Sequence, residues 1–268
     1  MNDSWRIIDT GSCKAAFNMA LDEAIATAVR QDLSPPALRL YGWEQCSVSI
    51  GYFQRSGELD AGYCREKGIQ IVRRPTGGRA VCHQDEITYS FSIQTKTGLF
   101  SHGLFDSYQI ISAALSMALS KVGLSPRSGI LKGSQKANKP GLPHNPLCFD
   151  SVSYGEISVN RNKVIGSAQK RWTDGLLQQG SIPFTTDEEL ILRLFQGTIP
   201  EMRNEPFRGL KHIMPSLSHD EVKNALWAAF EETFQRKLIR AEPSREELAL
   251  AEELEAQKYL NDAWTFRR

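Results

Sequence analysis

Apolar residues at Phe17, Leu21, Ala24, Ile25 and Val29 recur at helical spacing and predict a helix over Ala15–Arg30, with Asp22 and Glu23 on its other face. Short strand-like runs surround it: Trp5–Asp9, ended by Thr10-Gly11-Ser12, and, after the Pro35-Pro36 break, Ala37–Tyr41 and Ser47–Tyr52. A short helix over Ala61–Glu66 is closed by Lys67-Gly68, and strands over Ile69–Arg74 and Thr88–Ile93 follow. Asp106 is placed to N-cap a helix whose Tyr108, Ile111, Leu115, Leu119 and Val122 make one stripe, closed by Gly123. Residues 124–147 are rich in Ser, Gly, Pro, Lys and Asn and read as a long loop of the kind that serves as a lid. Glu156–Val159 and Lys163–Ile165 form the arms of a hairpin about Asn160-Arg161-Asn162. Thr186-x-x-Glu189, Ser218-x-x-Glu221 and Ser244-x-x-Glu247 each mark a helix start, and Trp264 and Phe266 are expected to pack back on the body. The pattern gives an α+β body over residues 1–184, with a helical C-terminal portion over residues 185–268 packed on it.

Composition narrows the function little. The 268 residues are 41% hydrophobic and 24% charged, with a net charge of +1. No global field therefore draws the chain to nucleic acid or to an anionic membrane, and neither is expected as a partner. The acidic N-terminus is not a signal peptide, and no segment has the apolar length of a membrane span. The five cysteines are scattered, odd in number and without paired spacing, which argues against a disulfide framework or a metal site and fits a cytoplasmic location.

Candidate chemistry gathers around the hairpin. Cys148 lies at a loop-to-strand entry with Asp150 and Ser151 beside it, and Lys163 lies across the predicted turn. A nearby ammonium favours the nucleophilic thiolate. The alternatives are a buried structural thiol for Cys148 and a solvated strand residue for Lys163. The other four cysteines are read as core or inert. Gly166-Ser167-Ala168 lets the backbone approach a ligand closely. The second candidate is Arg73-Arg74-Pro75-Thr76-Gly77-Gly78-Arg79-Ala80, in which paired glycines after a strand can present backbone N–H groups as a nest. It lacks the P-loop pattern. His83 is either a base or a satisfied structural side chain.

Taken together, these motifs resemble those of the lipoate/biotin protein ligase superfamily. The likeness is carried by Arg73–Val81 with Asp85-Glu86-Ile-Thr-Tyr-Ser90, by Lys163-Val-Ile-Gly166-Ser167-Ala168-Gln169 with Gln179-Gly180-Ser181, and by Phe17–Glu23, Tyr41-Gly-Trp43 and Gly51–Gln54. The tail Lys258-Tyr259-x-x-Asp262-x-Trp264-x-Phe266 extends it, so it covers nearly the whole chain. The resemblance implies a catalytic domain of mixed β-sheets flanked by helices. Cys148-Phe149-Asp150 is similar to the cysteine-dependent octanoyltransferase branch, and the segment Leu131–Pro146 matches nothing in it. That branch implies transfer of an octanoyl group from acyl carrier protein to a lysine of the glycine cleavage H protein or an E2 lipoyl domain. Cys148 and Lys163 would be catalytic, with no ATP or metal needed because a thioester donor is already activated. Arg73, Gly77, Gly78, Arg79, Ala80, His83, Asp150, Gly166, Ser167, Ala168 and Gln169 would bind substrate, and Ile71, Val81 and Val164 are candidate walls. An ATP-dependent lipoate–protein ligase and an amidotransferase between lipoyl domains are the competing expectations.

Overall fold

The structure, a computed structural model, describes residues 4–96, 98–100, 103–128, 156–195 and 208–268. The chain opens with strand β1 (Trp5–Cys13), helix α1 (Ala15–Arg30), β2 (Ala37–Trp43), β3 (Ser47–Ile50), α2 (Ala61–Glu66), β4 (Gln70–Arg73), β5 (Val81–His83) and β6 (Glu86–Gln94). Helix α3 (Leu104–Lys121) precedes β7 (Pro126–Ser128), β8 (Ile157–Val159), β9 (Asn162–Arg171) and β10 (Gly175–Pro183). Then come α4 (Glu188–Leu194), α5 (Leu210–Ile213), α6 (His219–Phe234), β11 (Leu238–Arg240), α7 (Arg245–Leu254) and α8 (Asp262–Thr265).

Among the described residues the strands make an eight-stranded sheet, ordered β11-β1-β2-β6-β10-β9-β8-β7, and a three-stranded sheet, β4-β3-β5. Both are mixed: β1 runs parallel to β2 and β11, β3 runs parallel to β4, and β6 and β10 pair antiparallel along their whole length. Strand β6 alternates, yet both of its faces are buried. Tyr89 and Phe91 meet Leu115 of α3 and Phe230 of α6, while on the opposite face Ser90 donates to Asp22 of α1. The apolar face is the main core, and Phe91 lies at its centre with Trp5, Phe230 and Phe234 at ring centroid distances of 5.4, 5.5 and 5.7 Å. The small sheet packs against α2 and α4 through Val48, Ile50, Cys64, Ile191 and Leu194.

Two of the three capping-box signatures hold. Ser218 and Ser244 both form reciprocal capping boxes with Glu221 and Glu247. Asn160 and Arg161, both at positive φ, make a two-residue turn between β8 and β9, which suits the strand twist. Elsewhere tertiary pairing overrides the sequence pattern. β1 does not stop at Thr10-Gly11-Ser12 but shifts register between Asp9 and Ser12 and continues to Cys13 beside β2. Gly103 rather than Asp106 caps α3, and Asp187, accepting from the Leu190 N–H at 2.9 Å, caps α4 in place of Thr186. Pro126–Ser128, expected to be loop, pairs with β8 as an edge strand.

The chain beyond residue 184 is not wholly helical. β11 extends the large sheet beside β1, α6 covers the main core, and α7 packs on α1. The expected return of the tail takes the form of Trp264, whose indole N–H donates to the Arg73 carbonyl at 2.9 Å. Among the described residues no helix is long and apolar enough to cross a membrane.

Candidate functional site

Two adjoining clefts lie where the small sheet faces the β2-β6-β10-β9 part of the large one. The larger, about 520 Å³, is lined by Ala80, Cys82, Lys163, Pro183 and Ile191. The smaller, about 360 Å³, is lined by Met19, Tyr41, Trp43, His83, Gly166 and Ala168. Val81 and Ser181 line both, so the clefts share a wall.

Lys163 enters the larger cleft from the start of β9, and its ammonium pairs with the carboxylate of Glu156 at the head of the hairpin. The two side chains are 10% and 5% exposed, so this is a buried ion pair. Beyond Lys163 the period-two alternation of β9 sorts the motif residues. Gly166 and Ala168 face the smaller cleft. The Ser167 hydroxyl instead meets Tyr89 Oη at 2.7 Å on the main-core face, so Ser167 reaches the cleft with its backbone. Gln169, expected to bind substrate, is on that opposite face too: its amide donates to Gln178 at 3.0 Å, and its oxygen accepts from Ser107 of α3 at 3.1 Å. Gly180 across the ladder admits no side chain, because a Cβ there would lie 2.2 Å from Tyr89 Cε1.

The two arginines of the glycine segment have different duties. Arg74 lines the smaller cleft and clamps the turn, donating to the carbonyls of Ser49 at 2.9 Å, Gly77 at 2.7 Å and Arg79 at 2.7 Å. A Cβ on Gly51 would meet the Gly78 carbonyl oxygen at 1.9 Å, so the two loops pack backbone to backbone. Arg73, expected to bind substrate, lines neither cleft. Its guanidinium is buried on the carbonyls of Gly51, Gln54 and Thr265 at 2.7, 2.8 and 2.9 Å, and burial pushes its pKa down to about 10. Gly77, Gly78 and Arg79 shape the turn without lining either cleft, whereas Ala80 does line one. Of the candidate walls, Val81 borders both clefts, while Val164 belongs to the main core and Ile71 packs with the small-sheet cluster.

His83 is in the cleft wall, but both ring nitrogens are engaged. Nε2 meets Ser49 Oγ at 2.7 Å, Nδ1 meets Glu86 Oε1 at 2.9 Å, and the ring stacks on Trp43 with centroids 3.9 Å apart. Burial pushes the Glu86 carboxyl up, but His83 and the hydrogen bonds from Thr88 and Ser181 outweigh it and leave Glu86 below its usual range. Burial, then the Asp22 carboxylate, holds the Tyr41 phenol well above its ordinary value.

Asp22 is the residue that sequence reasoning misplaced. It is fully buried, accepting from Arg39 at 2.7 Å, Tyr41 at 2.7 Å, Ser90 at 2.6 Å and Gln179 at 2.6 Å. Gln179 in turn accepts from Thr76 at 2.8 Å, tying α1 to the glycine turn across the cleft floor. A signal for this network exists in the sequence: Arg39 interrupts an apolar strand, and a buried cation requires an acidic partner. Glu156 was missed as the partner of Lys163, although it stands at the opposite end of the same hairpin. Among the described residues no cluster of three or more His, Cys, Asp or Glu could hold a metal. Cys148 and Asp150 lie outside the described residues.

The model of the lipoyl protein ligase A/B catalytic domain matches residues 14–231. A protein of Kyrpidia tusciae named octanoyltransferase LipM is 37% identical over 274 aligned residues, covering 99% of each chain. The crystal structure of lipoate-protein ligase A bound with ATP superposes with a TM-score of 0.81 at 25% identity, covering 99% of each chain. A bipartite lipoate protein ligase of Thermoplasma acidophilum, described with its E2 lipoyl domain, has the same fold, with a TM-score of 0.81 at 24% identity over 98% of this chain and 96% of its own.

Proposed function

The chain belongs to the lipoyl protein ligase A/B catalytic-domain family, and from that premise we propose that it is an octanoyltransferase of protein lipoylation working through a thioester on Cys148. The observation that carries this reading is the end-to-end likeness to a protein named octanoyltransferase LipM. The geometry suits it. Lys163 brings a cation to the wall of a cleft bordered by Ala80, Val81, Pro183 and Ile191, and Glu156 holds that cation in place.

The Cys148 thiolate attacks the thioester carbonyl of octanoyl-acyl carrier protein, and the carrier's thiolate leaves. Lys163 favours the thiolate and steadies the developing oxyanion, an effect of about 3–4 kcal/mol for one well-placed donor. The acceptor is a lysine of the glycine cleavage H protein or of an E2 lipoyl domain. Its neutral amine attacks the enzyme thioester, Cys148 departs as thiolate, and the nitrogen loses a proton to give the amide. An octanoyl chain offers about six methylenes, each contributing ~0.8 kcal/mol when buried. Neither ATP nor a metal takes part, since the donor already carries an activated acyl group.

The second reading is an ATP-dependent ligase, favoured by the superposition on the ATP-bound enzyme. Mixing the protein with octanoyl-acyl carrier protein and weighing it intact separates the two. An octanoyl adduct that is lost in Cys148→Ala, with transfer to acceptor in the absence of ATP, is the expected result. Transfer that requires ATP and survives Cys148→Ala assigns the ligase instead. Octanoylated H protein serving as donor to a second lipoyl domain would identify an amidotransferase.

A further inference from the structure

Two thiols that the transfer does not use lie side by side, and one of them, Cys82, is in the wall of the larger cleft. Cys46 is the residue before β3 and Cys82 is the centre of β5. Val48 opposes Cys82 in the ladder, so Cys46 is the diagonal neighbour on the same face. Their sulfurs are 3.9 Å apart, and neither is in a disulfide. Both residues are half-buried, and Cys82 lines the cleft that Lys163 enters.

The pair is asymmetric. The thiol hydrogen bond from Cys82 holds Cys46 below the ordinary thiol range, while that same bond, with burial, pushes Cys82 up. Cys46 stands just before the β3 ladder while Cys82 is held at the centre of β5, so Cys46 takes the role of nucleophile and Cys82 that of resolving partner. A disulfide needs sulfurs about 2.0 Å apart, and diagonal neighbours in a ladder have Cα atoms roughly 7–8 Å apart, beyond the usual disulfide span. Closure therefore draws the backbone along. Cys46 lies outside the β3 ladder, and its carbonyl is held by the Gln70 N–H at 3.4 Å, a long bond that yields first.

We propose that Cys46 and Cys82 form a reversible thiol–disulfide switch that remodels the cleft wall, exchanging with a small disulfide such as glutathione disulfide. The Cys46 thiolate attacks one glutathione sulfur, the S–S bond breaks, and one glutathione leaves as thiolate. Cys82, giving its proton to solvent, attacks the Cys46 sulfur of the mixed disulfide and releases the second glutathione. Two protein thiols are oxidised and one glutathione disulfide is reduced to two thiols. Closure draws Cys46 toward β5 and with it the segment that begins three residues earlier at Trp43, and so shifts Trp43 against His83 in the wall of the smaller cleft. The consequence for acyl transfer, a weaker hold on the chain in the oxidised form, rests on the transferase reading above.

The test uses the full chain with Cys148→Ala, which removes the other candidate thiol, incubated with glutathione disulfide under native conditions. Non-reducing peptide mapping should show a Cys46–Cys82 linked peptide, with loss of both thiols to alkylation and recovery after dithiothreitol. Adding Cys82→Ser should leave glutathione trapped on Cys46. Tryptophan emission should shift on linkage and return on reduction, and the shift should vanish in a Trp43→Phe version. Glutathione persisting on Cys46 with Cys82 intact, a link to Cys64, or thiols that stay unmodified would overturn the proposal. So would a link that leaves the emission unchanged. These measurements need no acyl substrate, so their failure is distinct from failure of the transferase reading.

Discussion

Replacing Lys163 with Met separates what its charge does for the fold from what it does for the reaction. The pair with Glu156 is buried, with 10% and 5% side-chain exposure, and Met keeps most of the volume. Removing one member of a buried pair leaves an uncompensated charge and costs about 3–5 kcal/mol. At roughly 2–4 °C per kcal/mol for a chain approaching this size, the melting temperature should fall by about 6–20 °C at neutral pH. Lys163→Met combined with Glu156→Gln removes both charges and should recover most of the stability, since a neutral pair of similar volume is no worse than the ion pair. Turnover should not recover. The missing cation should depress the transfer rate by roughly 10²–10³ in both variants. Differential scanning calorimetry and a rate measured on folded protein read the two effects independently. A double variant that regains wild-type transfer would refute the catalytic role, and one as unstable as the single variant would refute the ion-pair account.

Asp22→Asn should cost about 3–5 kcal/mol, because it strands the fully buried Arg39 guanidinium. Lys121→Met, which breaks the exposed pair with Glu232, should change stability by less than about 1 kcal/mol when both variants are unfolded in urea, and equal losses would contradict the burial argument. Glu86 is held below its usual range, so its contribution is present above the unfolded value of about 4.3 and is lost as pH falls through the lower folded value. Unfolding free energies measured between pH 3 and 6 should therefore fall less steeply on the acid side in Glu86→Gln than in the wild type. Gly180→Ala drives a methyl to 2.2 Å from Tyr89 Cε1, and overpacking of this kind costs about 1–3 kcal/mol, so an unchanged melting temperature would argue against the packing described.

The sequence by itself determined the elements whose causes lie within a few residues. Helix α1, the capping boxes at Ser218 and Ser244 and the β8–β9 turn follow from side-chain spacing, a hydroxyl three residues before a carboxylate, and an Asn160 that tolerates positive φ. The site was legible in part on the same grounds, since Lys163, Gly166 and Ala168 share a strand and a motif. Only the tertiary structure decided which face of each element meets the cleft. Alternation says that Ala168 and Gln169 point oppositely, but the layer covering each face settles that Gln169 turns to Ser107. Adjacent arginines diverge for the same reason: Arg73 is spent on the carbonyls of Gly51, Gln54 and Thr265, while Arg74 reaches the glycine turn. Asp22 of α1 belongs inside because Arg39, Tyr41, Ser90 and Gln179 arrive there from three strands. The Cys46–Cys82 pair likewise exists only once β3 and β5 lie side by side. Hydrogen bonds and buried charges are settled by neighbours in space, and a linear pattern carries no information about those until the sheets have formed.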